Sequence, residues 1–474
     1  MPSKRILLTC IILLSAVLGG AQERPVRTPF KVSKENITLP PYIDNSKNKY
    51  FPPLIDQKGG SCAQASGIGY MFTYEMNRLL DRDAGVPANR FSYQFSWNFL
   101  NGGTDEGGFV DQGLLLARSY GMMSEEDYGS SYTYTFKWAD GYDKYLRALH
   151  YKADEILSFT DSVGLLKRYL YDAGDGSAHG GVMTFSTQSQ NWKIQDYDGP
   201  QHTGYHSLLT KLATDGAHAM TIVGYDDAVS YTDEQGKTHS GAFIVVNTWG
   251  SIFASDGRFY LPYDFFRDPD INIQQLSDNL NAVRVKTFTP LLVFKVKLRY
   301  SSRNDLSFAV RLDAGDHRGE YMNCALFRNQ GGDLPMQGSG MSDEIEIAID
   351  CTQYMQKGMD YDDITLDVVK AAIGKTIGDG EILALSLMDY RGETPVEYAY
   401  KGTLPHPIKG GDNYLSIRIP KNYSVSASPY SYFKSGNANP NTFRFRTADG
   451  RDGKLRFSGY NAEDNSISIR YRIK

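Results

Sequence analysis

Three residue types capable of nucleophilic chemistry stand in well-marked surroundings. Cys62 lies in Gln57-Lys58-Gly59-Gly60-Ser61-Cys62-Ala63-Gln64, His218 in Gly216-Ala217-His218-Ala219-Met220, and Asn247 in Val246-Asn247-Thr248-Trp249-Gly250. A thiolate attacking a carbonyl needs a base that takes its proton and returns it to the leaving group. It also needs a polar group to orient that base and donors for the developing oxyanion. Cys62 offers the thiol, His218 the base and Asn247 the orienter. The Gln57 side-chain amide and the Cys62 N–H offer the donors. The plainer alternatives are a small core cysteine, a structural histidine at a strand entrance, and a turn at Asn-Thr-Trp-Gly.

These residues need particular elements to carry them. Gly59 and Gly60 allow a tight turn before Ser61, an N-cap residue type, and Gln64 three positions on completes a capping-box pattern. Apolar residues at Ala65, Ile68, Phe72, Met76 and Leu79 predict a helix over 62–81 with one buried face. A thiol on the first turn of such a helix faces unpaired N–H groups, which favour the thiolate. His218 enters a strand over 219–225, and Asn247 ends an apolar strand over 242–247. A polar hairpin tip at 232–237 joins them, and Trp249 is placed to shield the Asn–His bond from water.

These blocks resemble the papain-like cysteine peptidases, over most of residues 39–270. Leu39-Pro40-Pro41-Tyr42-Ile43-Asp44 is similar to that family's mature start, and Gln57 through Cys62 to its Gln…Cys segment. His218 through Tyr225 resembles its histidine block and Asn247-Thr248-Trp249-Gly250 its Asn-Ser-Trp-Gly block. Phe91-Ser92-x-Gln94 and the glycine-rich loop after it also recur at the expected place. The resemblance implies Cys62 as nucleophile, His218 as general base and acid, Asn247 as orienter and Gln57 as oxyanion donor. There are departures. Ala63 stands where the family usually has Trp, and the earlier cysteine of its Cys-x-x-Cys pattern is missing. Gln57 is five positions before Cys62, one fewer than usual. The gap from Cys62 to His218 is 156 (218 − 62), beyond the family's roughly 130–150.

Length and composition bound the rest. A chain of 474 residues implies two or three domains. Net charge is −5 at 41% hydrophobic and 22% charged residues, which gives no sign of a nucleic-acid partner. Lys4 and Arg5, the apolar run 6–18 and Gly19-Gly20-Ala21 read as a signal peptide over 1–21, with Gln22 first after export. The apolar run is shorter than the roughly 20 residues of a membrane span. No later stretch is long and apolar enough to span, so the expectation is a soluble protein, secreted or periplasmic. Three cysteines then remain. Cys324 and Cys351 are close enough in sequence to pair, which leaves Cys62 as the odd thiol.

The expected fold class is α+β: a papain-like two-lobed peptidase domain at 39–288, then an all-β sandwich-like domain at 289–474. The pattern changes near Pro290 to alternating strands joined by Gly, Asp and Asn turns. Residues 22–38 read as a short flexible segment with no amphipathic pattern, so folding without an inhibitory prodomain is expected, with at most an extended plug in the cleft. No cofactor or metal is called for. His202 and His206 lack a third ligand at a recognisable spacing, and Asp360-Tyr361-Asp362-Asp363 reads as a solvated loop before a calcium site. The expected partner is a peptide or protein substrate, with the β domain contacting substrate, a cell surface or another protein. Two rivals stay open on sequence: a degraded peptidase fold that only binds, and a transferase that passes the acyl group to an amine.

Overall fold

The computed structural model describes residues 26–33, 37–129, 136–159, 162–199, 204–212, 215–266, 280–371, 377–420, 442–446, 451–461 and 466–473. The signal stretch 1–21 and His202 lie outside them. The architecture is α+β. Helices dominate the first third, and antiparallel sheet follows.

The helix that carries Cys62 runs through three geometries: an α turn over Cys62–Gln64, a π-helical stretch over Ala65–Phe72, and α again over Thr73–Leu80. Asp81 ends it in the left-handed region at φ 51°. Ala65, Ile68, Phe72 and Met76 are buried as expected, but Leu79 is 52% exposed. The wider π turns shift the register after Phe72, so the 3.6-residue stripe no longer predicts which face looks inward.

Beside this helix lies a seven-stranded sheet. Its spine is the strand Asp215–Thr232, which pairs with Met183–Gln190 and Tyr42–Asp44 on one side and Thr238–Val246 on the other. Arg258–Pro262, Ser207–Lys211 and Lys193–Asp196 continue it. The hairpin between the histidine and asparagine strands is pinned by His239, whose ring nitrogens face Asp264 and Asp233 at 2.7 and 2.9 Å.

From Leu292 two further sheets face each other. One has the order Glu344–Asp350, Leu292–Tyr300, Gly380–Asp389, Val396–Ala399; the other Met322–Arg328, Leu306–Asp313, Asp363–Lys370, Tyr414–Arg418. Their inward residues, such as Phe294, Val296, Leu385, Val310 and Leu366, form one core. That core continues without a break into the helical lobe through Trp138, Phe99 and Phe327. The histidine and asparagine strands build a second core around Phe185, Ile222, Phe243 and Phe259.

One open point closes and two expectations change. Cys324 and Cys351 are buried free thiols, not a bridge. The acidic run at 360–363 is not a plain solvated loop: Tyr361 is buried, and Asp363 opens a strand. Among the described residues no group of three or more side chains could hold a metal, and none of the helices is long and apolar enough to cross a membrane.

The second correction concerns 22–38, read as flexible. Thr28–Pro29 pairs in parallel with Tyr151–Ser158. Phe30 N–H donates to Ser158 O at 2.8 Å, and Ser33 is tied to Gly174 O. The Phe30 ring is buried against Phe159 and Tyr169, at 5.0 and 5.3 Å between centroids. Phe30 thus anchors the segment on the second core and not as a plug on Cys62. A buried aromatic truncated to alanine costs about 3–5 kcal/mol. Phe30→Ala, and a chain begun at Leu39, are therefore expected to unfold at lower urea than the chain begun at Gln22. Coincident urea midpoints would show that the anchor contributes nothing.

Candidate active site

The three sequence blocks converge where the cysteine helix meets the sheet. Ser66 and Tyr70 stand four and eight residues after Cys62, and both reach the sheet. Ser66 Oγ donates to Ala219 O at 2.8 Å. The Tyr70 hydroxyl donates to Asn247 O at 3.1 Å and accepts from Ile55 N–H at 2.7 Å. These bonds fix the π-helical stretch that follows Cys62 against the entry of the histidine strand and the end of the asparagine strand. The Cys62 sulfur lies against the N–H groups of Ala219, Ala63 and its own residue. Ala219 follows His218 directly, so the thiol lies at the entry of the histidine strand.

Asn247 leaves its strand one residue past Val246, which pairs with Thr221. Its side chain reaches back to His218, with Nε2 and Oδ1 at 2.8 Å, both residues buried. Thr248 N–H also donates to Asn247 Oδ1 at 2.7 Å, which settles the orientation of the carboxamide. An oxygen that only accepts requires the proton on His218 Nε2. Nδ1 then keeps its lone pair and can take a proton from a thiol.

The ring of Trp249 stacks on His218 at 4.5 Å and 25°. Trp192 stands edge-on to His218 and to Trp249, and Phe253 closes the group. This apolar wall keeps water from the Asn–His bond, as the sequence led one to expect of Trp249. Trp192 was not anticipated, because it comes from the link between Met183–Gln190 and Lys193–Asp196, far from the three blocks in sequence. Ser66 and Tyr70 were legible in principle, since four-residue steps put them on the face of Cys62.

Burial also sets the charge state. It holds the His218 imidazole down at about 4, against the raising effect of its bond to Asn247. Burial likewise pushes the Cys62 thiol up, outweighing the three N–H groups that pull it down. The helix end was expected to favour a thiolate. Here desolvation outweighs the helix end, and burial disfavours both the thiolate and the imidazolium.

The expected capping box does not form. Ser61 Oγ donates to Lys58 O at 2.7 Å, and Gln64 Nε2 donates to Phe109 O at 3.0 Å. Gln64 turns to the neighbouring helix Val110–Tyr120, where Gly113 leaves it room. Gln57 is held tightly beside the Asn-Thr-Trp-Gly turn. Its N–H donates to Thr248 O at 2.7 Å, Thr248 Oγ1 donates to its Oε1, and its Nε2 donates to Gly59 O at 2.9 Å. One N–H of the carboxamide is thus engaged, and the second is left for another acceptor.

No family profile and no curated protein matches the chain. Among solved structures, xylellain, a cysteine protease from Xylella fastidiosa, is similar at 20% identity, covering 56% of this chain and 92% of its own, TM-score 0.40. ProCathepsin B S9 from Trypanosoma congolense is similar at 14% identity, over 60% of this chain and 99% of its own, TM-score 0.38. The bromelain protease from Ananas comosus is similar at 15%, over 52% and 99%, TM-score 0.33. Scores this low carry no weight alone, and the site stands on its own geometry.

The Asn247 side chain gives a graded test of that geometry. Its loss removes a bond to a buried ring without touching the thiol, and a lost buried partner costs about 1–3 kcal/mol. Asn247→Ala is expected to lower kcat about 10- to 100-fold, read with any substrate the wild type turns over. Undiminished kcat would show that another group orients His218.

Proposed function

We propose that this chain is an exported cysteine peptidase that hydrolyses peptide bonds through a thioester acyl-enzyme. The observation that carries the reading is the buried His218–Asn247 pair, at the strand entry that also meets the Cys62 sulfur. Roles follow from the atoms. His218 Nδ1 takes the Cys62 proton as sulfur attacks the scissile carbonyl carbon. The oxyanion is met by the Cys62 N–H and the Gln57 amide. The imidazolium then protonates the leaving amine, the C–N bond breaks, and a thioester remains. A water deprotonated by the same imidazole attacks it, releasing the acid and restoring the thiol. Because burial disfavours both charged forms, proton transfer and attack proceed together. Export is part of this proposal and rests on the sequence of residues 1–21.

A quenched peptide library incubated with wild type and with Cys62→Ala tests the reading. Cleavage by wild type alone, with a thioester trapped on Cys62 by mass spectrometry, is expected. One observation favours a binding protein on the same scaffold: the Gln57 amide already spends a donor on Gly59 O. Peptides retained by wild type but left uncut would support that reading and overturn the first. New amide products in the presence of added amines would point to transfer instead of hydrolysis.

A further inference from the structure

We propose that the β-sandwich is a working part of the cleft: through Gly331 and Gly332 it fixes the glycine loop 102–108 beside Cys62, with Arg303 as the positioning residue. This rests on the peptidase reading of Cys62 given above.

The loop is gripped from both sides. On its near side Asp105 Oδ1 accepts from Gly60 N–H at 3.2 Å. A Cβ placed on Gly60 would lie 2.7 Å from Gly107 N and 2.8 Å from Asp105 O. The loop backbone therefore touches the chain two residues before the thiol. Residues 104–109 are exposed there, open to a peptide that lies across Cys62.

On its far side the loop meets the β-sandwich, backbone to backbone. A Cβ on Gly103 would lie 2.8 Å from Gly331 O, and one on Gly332 would lie 2.1 Å from Gly102 O. Neither chain can carry a side chain at this crossing. The same Cβ on Gly103 would lie 3.1 Å from Leu334 Cδ1, so the Leu334 side chain packs beside the loop.

Arg303 holds the β-sandwich half of the crossing. Its Nε and Nη2 donate to Gly331 O at 2.8 and 2.7 Å, and Nη2 also donates to Phe136 O at 2.9 Å. The guanidinium lies over Trp138 at 4.4 Å. Trp138 in turn stacks on Phe99 at 4.2 Å and donates to Asn98 O at 3.0 Å. Phe99 and Asn98 belong to the helix Tyr93–Leu100, from which the loop departs. One buried cation thus ties the β-sandwich turn to the root of the loop. Arg303 is 1% exposed, and its hydrogen bonds among the described residues run to main-chain carbonyls. Burying a charge without a carboxylate is costly, and here it fixes the geometry of a cleft wall.

The test uses the full chain and two matched substitutions. Gly332→Ala puts a Cβ into Gly102 O. Gly340→Ala carries a similar positive φ, +69° against +77°, but has nothing within 4 Å. Leu334→Ala removes a loop contact without backbone strain. Amide exchange over 101–109, peptide KM and kcat, and iodoacetamide labelling of Cys62 are read for each. Misplacing a substrate-positioning element by about 1 Å can cost on the order of 100-fold. For Gly332→Ala, loop exchange at least about 10-fold faster and KM about 10-fold higher are expected, with labelling within about two-fold of wild type. Leu334→Ala should move the same way, less far, and Gly340→Ala should move neither. Wild-type loop exchange in both Gly332→Ala and Leu334→Ala overturns the proposal, as does faster exchange with unchanged KM. If the wild type cuts no peptide, the peptidase reading falls, and loop exchange alone decides the coupling.

Discussion

Replacing Cys62 by alanine is expected to abolish turnover, by a factor on the order of 10⁴–10⁶ in kcat. No other described thiol can substitute, because Cys324 and Cys351 are fully buried. His218→Ala is expected to lose about as much, and the double substitution no more than either alone, since nucleophile and base act as one unit. The pH dependence follows from the two shifts. A base held at about 4 stays unprotonated above that value. The acid limb of kcat/KM is therefore expected near pH 4, well below that of an ordinary imidazole. The thiol is raised by burial, so iodoacetamide should label resting Cys62 slowly at pH 6 and faster as pH climbs into the alkaline range. Rapid labelling that is flat from pH 5 to 8 would reveal a thiolate–imidazolium pair and show that burial does not decide the charge state. Wild-type turnover by Cys62→Ala would remove the peptidase reading altogether.

Gln57→Ala is expected to reduce kcat by about 10²–10³, or about 2.7–4 kcal/mol, with little change in KM. An oxyanion donor acts when charge develops on the substrate oxygen, so its loss falls on the transition state. Despite the shortened spacing to Cys62, Thr248 fixes this residue twice: its carbonyl accepts from the Gln57 main-chain N–H, and its hydroxyl donates to the side-chain Oε1. Gly250 N–H to Ile55 O at 3.0 Å secures the same crossing. Thr248→Val should produce part of the same loss by freeing the amide to rotate. Kinetics indistinguishable from wild type in Gln57→Ala would leave the Cys62 N–H as the sole donor and assign Gln57 to structure.

Much of this protein is written locally. The glycine turn before Cys62, the strand entered at His218, the strand ended by Asn247 and the hairpin between them depend on short-range preferences. So do the alternating strands after Pro290. Sequence periodicity and turn residues report those preferences directly. The order of the Gln57, Cys62, His218 and Asn247 blocks was legible for the same reason. Each lies in a stretch whose composition is unusual on its own.

Other features were decided by contacts between distant residues. Ser61 and Gln64 spell a capping box, yet Lys58 O and Phe109 O offered competing partners, and a cap is worth only about 1 kcal/mol. The segment around Phe30 has too little local preference to fold alone; a ready strand edge and a pocket between Phe159 and Tyr169 order it. The helix end draws Cys62 toward the thiolate, but the depth of the corner that receives it decides the outcome. The meeting of Gly332 with Gly102, 230 positions apart (332 − 102), leaves no trace in either local stretch. Sequence reports a residue's own conformational preferences, whereas desolvation and choice of partner depend on what the completed fold brings alongside it.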